Sequence, residues 1–295
     1  MTVILGLAGA IAYGFSDFLG GLASRRVPPI IVTAWVAVIG LVPLVIGLAV
    51  IGGRLSASAL VWGTVAGVSG SLGVLLLYTA LAVGPMSVLS PVTSVISAIL
   101  PVAIGVFFLG SRLTGLGIGA VVTAIVAVVL VGIVKDSSGA RLTGRGLIAA
   151  GFAGCGFGGL ILAYSATSPA DGLAPLVVAR VVQVLVMWTG VGLFSLRARR
   201  AEATPSSSGM RDWPRGTWRL VAIGGVLDAS ANIFIQAALH SGDSASALPV
   251  VSVLNALYPI GTIILAAIVL RERLSRLQIG GLVLALAASS VLASL

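Results

Sequence analysis

LLLYTALAVGPMSVLSPVTSVISAILPVAIGVFFL, residues 75–109, carries no charged side chain over 35 positions and is interrupted only at Gly84-Pro85. A span needs about 20 mostly apolar residues, so the stretch reads as the end of one membrane helix and most of the next. Adding 158 to its numbering lands Gly84 on Gly242, Pro91 on Pro249 and Pro101 on Pro259. The same two prolines, ten residues apart, thus recur in a second apolar stretch. Just beyond, Gly110-Ser111-Arg112-Leu113-Thr114 matches Arg271-Glu272-Arg273-Leu274-Ser275 at a shift of 161, and Pro29 matches Pro175 at 146. The chain repeats itself, with a few residues of slip.

Extended over the whole chain, this reading agrees with composition. The 295 residues are 58% hydrophobic and 8% charged, with a mean hydropathy of +1.18. That excludes a soluble or disordered chain, and a nucleic-acid binder despite a pI near 11.2. Apolar windows fall at about 3–23, 30–51, 58–82, 86–110, 114–134, 145–166, 173–196, 218–240, 245–270 and 276–294. The fold class expected is an all-α integral membrane protein of about ten transmembrane helices. Residues 1–137 and 138–295 form two five-helix repeats, and an odd helix number turns them opposite ways across the membrane, an inverted repeat. The first window is read as a retained span, because Arg25 and Arg26 follow the apolar run and Asp17 interrupts it. The one long connection, about Arg197 to Arg219, contains Pro205-Ser206-Ser207-Ser208-Gly209 and reads as a flexible loop. Its Trp213 and Trp218 are expected at the headgroup level.

Ionisable residues inside the spans cost on the order of 2.5–3.5 kcal/mol at a helix centre, so each needs a reason. Asp17 lies eight residues before Arg25, roughly 12 Å deep at 1.5 Å per residue; Asp228 lies nine after Arg219, and Arg180 eight past Gly172 from the opposite face. All three fall at similar depth. Asp228, Asn232, Gln236 and His240 follow at intervals of four and stripe one face of the eighth window. The stripe reads either as the wall of a water-filled substrate cavity or as interhelical hydrogen bonding, and the carboxylate favours the cavity. His240, at a helix end beside Asp243, reads as interfacial. Arg180 either pairs with Asp17 or Asp228, or clamps a substrate carboxylate through its planar fork. Two carboxylates around one cation leave one acid as a candidate proton carrier. Tyr13, one turn before Asp17, shares its face, and Asn255 and Tyr258 flank Pro259.

Pro91, Pro101, Pro249 and Pro259 each remove a backbone donor and are expected to bend the fourth and ninth windows, as joints that move during gating. Gly63/Gly67, Gly115/Gly119 and Gly154/Gly158 have the spacing that permits close helix contact. The single cysteine, Cys155, lies in an apolar Gly-rich run and is expected to be inert packing. The only lysine, Lys135, belongs to no Walker A stretch, and one histidine with one cysteine makes no metal cluster or Cys/His nucleophile. No cofactor is expected and the chain is read as no enzyme. The rivals are intramembrane Ser or Asp chemistry at Asp17 or Asp228, or a channel or purely structural membrane protein.

The stretch from Leu75 to Leu109, that from Phe234 to Gly281, the ending Arg271-Glu272-Arg273-Leu274 and the first-span motif Tyr13-Gly14-Phe15-Ser16-Asp17-Phe18 together resemble EamA-type members of the drug/metabolite transporter superfamily. The ending is similar to the family's Gly-Glu-Arg-Leu, and the motif to its Trp-Gly-Ser-Asn-Phe, with Tyr for Trp and Asp for Asn. Two departures are Ser111 in place of the usual Glu, and Ala34/Trp35 where many relatives carry Arg. The resemblance implies export of amino acids or related metabolites by alternating access; uptake of a sugar or nucleotide-sugar-like solute is the alternative. Partners expected are that solute, membrane lipid and protons as coupling ion, in a bacterial-type plasma membrane. Loop Lys/Arg number 14 in odd-numbered connections against 2 in even-numbered ones. The positive-inside rule therefore puts both termini outside the cytoplasm, although the resemblance implies termini inside; so large a bias decides for this chain.

Overall fold

The computed structural model describes residues 2–108, 142–200, 213–241, 257–271 and 276–293, with positions 115, 119, 122, 123, 126, 251 and 255 besides. The helices are α1 (Thr2–Ser24), α2 (Pro29–Ile51), α3 (Ala57–Val83), α4 (Met86–Phe108), α5 (Gly144–Ser165), α6 (Ala174–Arg200), α7 (Thr217–Leu239), α8 (Pro259–Leu265, continued by a wider π turn over Ala266–Leu270) and α9 (Arg276–Ala293). Six of them are long and apolar enough to cross a membrane: α1, α2, α3, α5, α6 and α7. Most of the fifth window, Pro249 and residues 201–212 of the long connection lie outside the described residues.

Short connections force neighbouring helices to run antiparallel, and hydrogen bonds gather the connections at two ends. At one end Arg25 of the first connection donates through Nε to the Leu81 carbonyl (3.2 Å) and through Nη2 to Gly84 (2.9 Å), serving carbonyls that the end of α3 leaves free. At the other end the second and sixth connections clasp. Leu173 N–H donates to the Gly52 carbonyl and Arg54 N–H to that of Asp171, both at 3.3 Å. The Asp171 carboxylate accepts from Ser56 Oγ (2.7 Å) and from the Ser168 amide (3.0 Å). Gly172 makes this turn possible: its φ is +51°, and a Cβ there would lie 2.6 Å from the Gly52 carbonyl.

The apolar core is split the same way. One cluster, around Phe18, Val32, Val36, Tyr78, Leu81, Met86, Leu89, Met187 and Val221, fills the Arg25 end. A second, around Leu44, Tyr164, Leu173, Leu176, Ile235 and Leu239, fills the clasped end. Between them the helices touch through glycine. A Cβ at Gly63 would fall 2.8 Å from the Pro175 carbonyl and one at Gly67 2.6 Å from that of Ala179, so α3 lies backbone-to-backbone on α6. Gly154 does the same on α4, 2.6 Å from the Thr93 carbonyl, with Gly158 3.0 Å from that of Ser97. Gly115 and Gly119, by contrast, meet nothing within 4 Å.

Four expectations need correction. α6 continues to Arg200, so Arg197, Arg199 and Arg200 belong to the helix and the connection is shorter than the break in apolar character suggests. Trp213 is buried in the first cluster at 8% exposure; only Trp218 is exposed, with the Arg219 guanidinium 5.7 Å from its ring centre. Cys155 is exposed on the outside of α5, because Gly154 and Gly158 occupy the face that packs. The ninth window is interrupted at Tyr258 and not bent mid-helix: Pro259 opens α8 after tight turns from Asn255 to Tyr258 and from Leu257 to Ile260. The helical phase of α4, in contrast, runs unbroken through Pro91 and Pro101, and α2 holds a further internal proline, Pro43.

Candidate functional site

The first-span motif distributes its residues over several neighbours. Gly14 lets α1 press on the start of α8, where a Cβ would come within 3.0 Å of Gly261 Cα, and Thr262 Oγ1 donates to the Gly14 carbonyl at 2.9 Å. Ser16 Oγ donates to the Gly224 carbonyl of α7 at 2.8 Å, and Phe18 enters the apolar cluster. With Gly14, Ser16 and Phe18 committed to packing, Tyr13 and Asp17, one turn apart, turn to the space between helices.

That space holds two adjoining chambers. The first is lined by Tyr13, Asp17, Asn255 and Tyr258 together with Phe157, Leu160, Ile161 and Ile235. Among the described residues no group hydrogen-bonds the Asp17 carboxylate, which is 5% exposed. The buried Asn255 Oδ1 has no partner either, while Tyr258 Oη donates to the Ser90 carbonyl at 3.4 Å. The second chamber shares Tyr13, Phe157 and Leu160 with the first and adds Arg180, Gln183, Asp228, Asn232 and Tyr164.

Arg180 of α6 and Asp228 of α7 form a buried ion pair between Nη2 and Oδ2. Arg180 Nη1 also donates to Gln183 Oε1 at 2.9 Å. Of the two partners open to Arg180 in the sequence, the structure therefore supplies Asp228, and Asp17 stands apart. Asn232 is held by its own helix, Nδ2 donating to the Asp228 carbonyl at 2.8 Å, and accepts at Oδ1 from Tyr164 Oη at 3.3 Å. The α3 wall of this chamber is Ala66, Gly67, Gly70 and Val74, the first three small enough to leave room.

The four-residue stripe divides. Asp228 and Asn232 face the second chamber, but Gln236 lines neither and ties α7 to the clasp, its Nε2 reaching Thr167 Oγ1 (3.2 Å), the Gly172 carbonyl (3.4 Å) and His240 Nε2 (3.0 Å). A helical drift of about 40° per four residues carries the last turns off the chamber face. His240 lies at the clasped end, where burial pushes its imidazole below the ordinary range against a weaker upward pull from Asp171. Gln183 and Tyr164 are site residues that the sequence reading passed over. Each is a polar group in an apolar span, Gln183 one turn past Arg180, and that was the available signal.

Pro91 and Pro259 are buried; Pro259 stands directly after Tyr258 of the first chamber, while Pro91 belongs to α4 and lines neither. Among the described residues no group of three His, Cys, Asp or Glu could hold a metal ion.

A sequence profile described as the EamA-like transporter family matches residues 1–133 and 184–294. No curated protein matches. Among solved structures, a crystal structure titled only as that of a protein shares the fold, with a TM-score of 0.64 at 17% identity over 98% of this chain and 95% of its own.

Proposed function

The chain belongs to the EamA-like transporter family, within the drug/metabolite transporter superfamily, and is an integral membrane protein; from that premise we propose that it is a secondary transporter exporting a small polar or amphipathic, amino-acid-like metabolite by alternating access. One observation carries the reading: a layer containing Asp17, Arg180, Asp228, Asn232 and Asn255 lies between two separate apolar clusters, one at each end of the bundle. A solute held at that layer is cut off from each side by one cluster, and parting them in turn exposes it to one side at a time. A channel needs both parted together. Charge neutralisation of Arg180 by Asp228 keeps the empty layer tolerable in a bilayer, and a carboxylate-bearing solute can take over guanidinium donors that Asp228 does not use. Among the described residues Arg180 is the only cation lining either chamber, which is little for the diphosphate of a nucleotide sugar, so the uptake reading is the weaker one.

The ten-helix, inverted-repeat arrangement over 1–137 and 138–295 belongs to the same proposal. In its support, α1 packs on α7 as α5 packs on α3, and α2 packs on α7 as α6 packs on α3. A step of five windows along the chain converts the first member of each pairing into the second. Gly67 and Gly225, 158 residues apart, do corresponding work: Gly67 seats against Ala179 and Val182 of α6, Gly225 against Val36 and Ile39 of α2. The excess of basic residues in the odd-numbered connections puts the Arg25 end in the cytoplasm.

Purified protein in liposomes loaded with unlabelled amino acids should accumulate labelled amino acid by saturable counterflow. Uptake that is linear in concentration and insensitive to internal solute would overturn the carrier reading.

A further inference from the structure

Among the described residues, every polar side-chain group on the wall of the first chamber can act as a hydrogen-bond acceptor and none is cationic: Asp17, Asn255 Oδ1, and the phenol oxygens of Tyr13 and Tyr258. Asp17 has no hydrogen-bond partner among the described residues, and the Asn255 amide, 7% exposed, leaves its oxygen unbonded. Arg180, the cation of the neighbouring chamber, is committed to Asp228 and Gln183. The rest of the wall is Phe157, Leu160, Ile161 and Ile235.

A bare carboxylate and an unbonded amide oxygen in such a wall leave two acceptors waiting for a donor, a costly arrangement for an empty interior. A metal ion is a poor match, since hard cations take six or more oxygens and half of this lining is hydrocarbon. An alkylammonium fits both halves. Its three N–H groups meet the acceptor set, the aromatic faces of Tyr13, Tyr258 and Phe157 favour positive charge, and its hydrocarbon body covers the aliphatic wall. We propose that the Asp17 chamber is the subsite for a primary ammonium group carried on an apolar body, which makes the transported solute an amphipathic amine or the amine end of an apolar amino acid. This assignment rests on the transporter reading for its physiological meaning, but not for its chemistry.

The test uses the full chain in detergent at pH 7, titrated calorimetrically with three solutes of one shape: 2-phenylethylammonium, 2-phenylethanol and 3-phenylpropanoate. The ammonium should bind saturably and the other two at least tenfold more weakly; equal binding of the alcohol or of the carboxylate would overturn the assignment. Asp17→Asn should weaken ammonium binding at least tenfold, and unchanged binding in that variant would also overturn it. Should Asp17→Asn fail to fold, Ile161→Trp, which fills the chamber without touching the Arg180 pair, should abolish binding, and retained affinity there counts against the site. Counterflow of the same ammonium is read separately. Binding without counterflow defeats the transporter reading and leaves the subsite standing, whereas amino-acid counterflow without ammonium binding does the reverse.

Discussion

The pair between Arg180 and Asp228 offers the sharpest test of whether the polar layer serves transport or only folding. Both side chains are nearly out of reach of solvent, at 5% and 8% exposure. Removing one partner of such a pair strands the other, at about 3–5 kcal/mol. The two losses differ in kind. In Arg180→Met the stranded group is a carboxylate left without its cation; in Asp228→Asn it is a guanidinium, from which Gln183 Oε1 at 2.9 Å and the new amide oxygen still accept. Arg180→Met should therefore lower the melting temperature in detergent more than Asp228→Asn does. The double variant should be more stable than the sum of the single losses by about 2 kcal/mol or more, a coupling within the range of contacting charged residues. Counterflow then separates the roles. Arg180→Lys, which keeps charge and loses the fork, should fold and yet transport carboxylate-bearing solutes at least tenfold more slowly. Full transport by the double variant would refute the assignment of these residues to the solute path, and strictly additive stability losses would refute the pairing itself.

Three further outcomes follow from other parts of the structure. Gly14→Val should destabilise the fold by about 1–3 kcal/mol by overpacking, seen as a lower melting temperature, because α1 meets the backbone of α8 there; an unchanged melt counts against this contact. Arg271 ends the π turn at φ +56°, the position of Gly in the family's ending, so Arg271→Gly should stabilise by roughly 1 kcal/mol, and a loss of stability would show that the Arg271 side chain matters more than the backbone. The folded imidazole of His240 lies below its ordinary value of about 6.5, so the unfolded chain binds more protons there. Stability should fall as pH drops from about 6.5 through the lower folded value, and His240→Gln should flatten that slope in melts between pH 7 and 5.

Much of the site was legible because a bilayer makes polar residues conspicuous. Asp17, Arg180, Asp228 and Asn232 stand out in apolar windows, and all four line the chambers. The choice of partner for Arg180 was not legible, since both acids lie at its depth and only the packing of α2 on both α6 and α7 selects Asp228. Gln236 misled because a spacing of four is close to, but not equal to, the helical repeat, and the stripe leaves the chamber as it nears the clasp. Trp213 misled for another reason: aromatic residues near a membrane end are usually interfacial, but this one closes over the apolar cluster at the Arg25 end. The break at Tyr258 was marked by Pro259, yet proline opens a helix as readily as it bends one, and sequence does not tell the two apart.

The contacts of α1 also set a schedule for biosynthesis. Ser16 bonds a residue 208 positions later and Gly14 one 248 later, so at about 5–20 residues per second the first helix emerges roughly 10–40 s before its main neighbour exists. Throughout that interval Asp17 has neither its chamber nor the helix that walls it. The first span is also the least apolar of the six, with α7 next. The two helices with the weakest individual claim on the lipid are thus the two that pack together, and the earlier of them has to be held at the membrane, by the insertion machinery or by α2 and α3, until the later one is made.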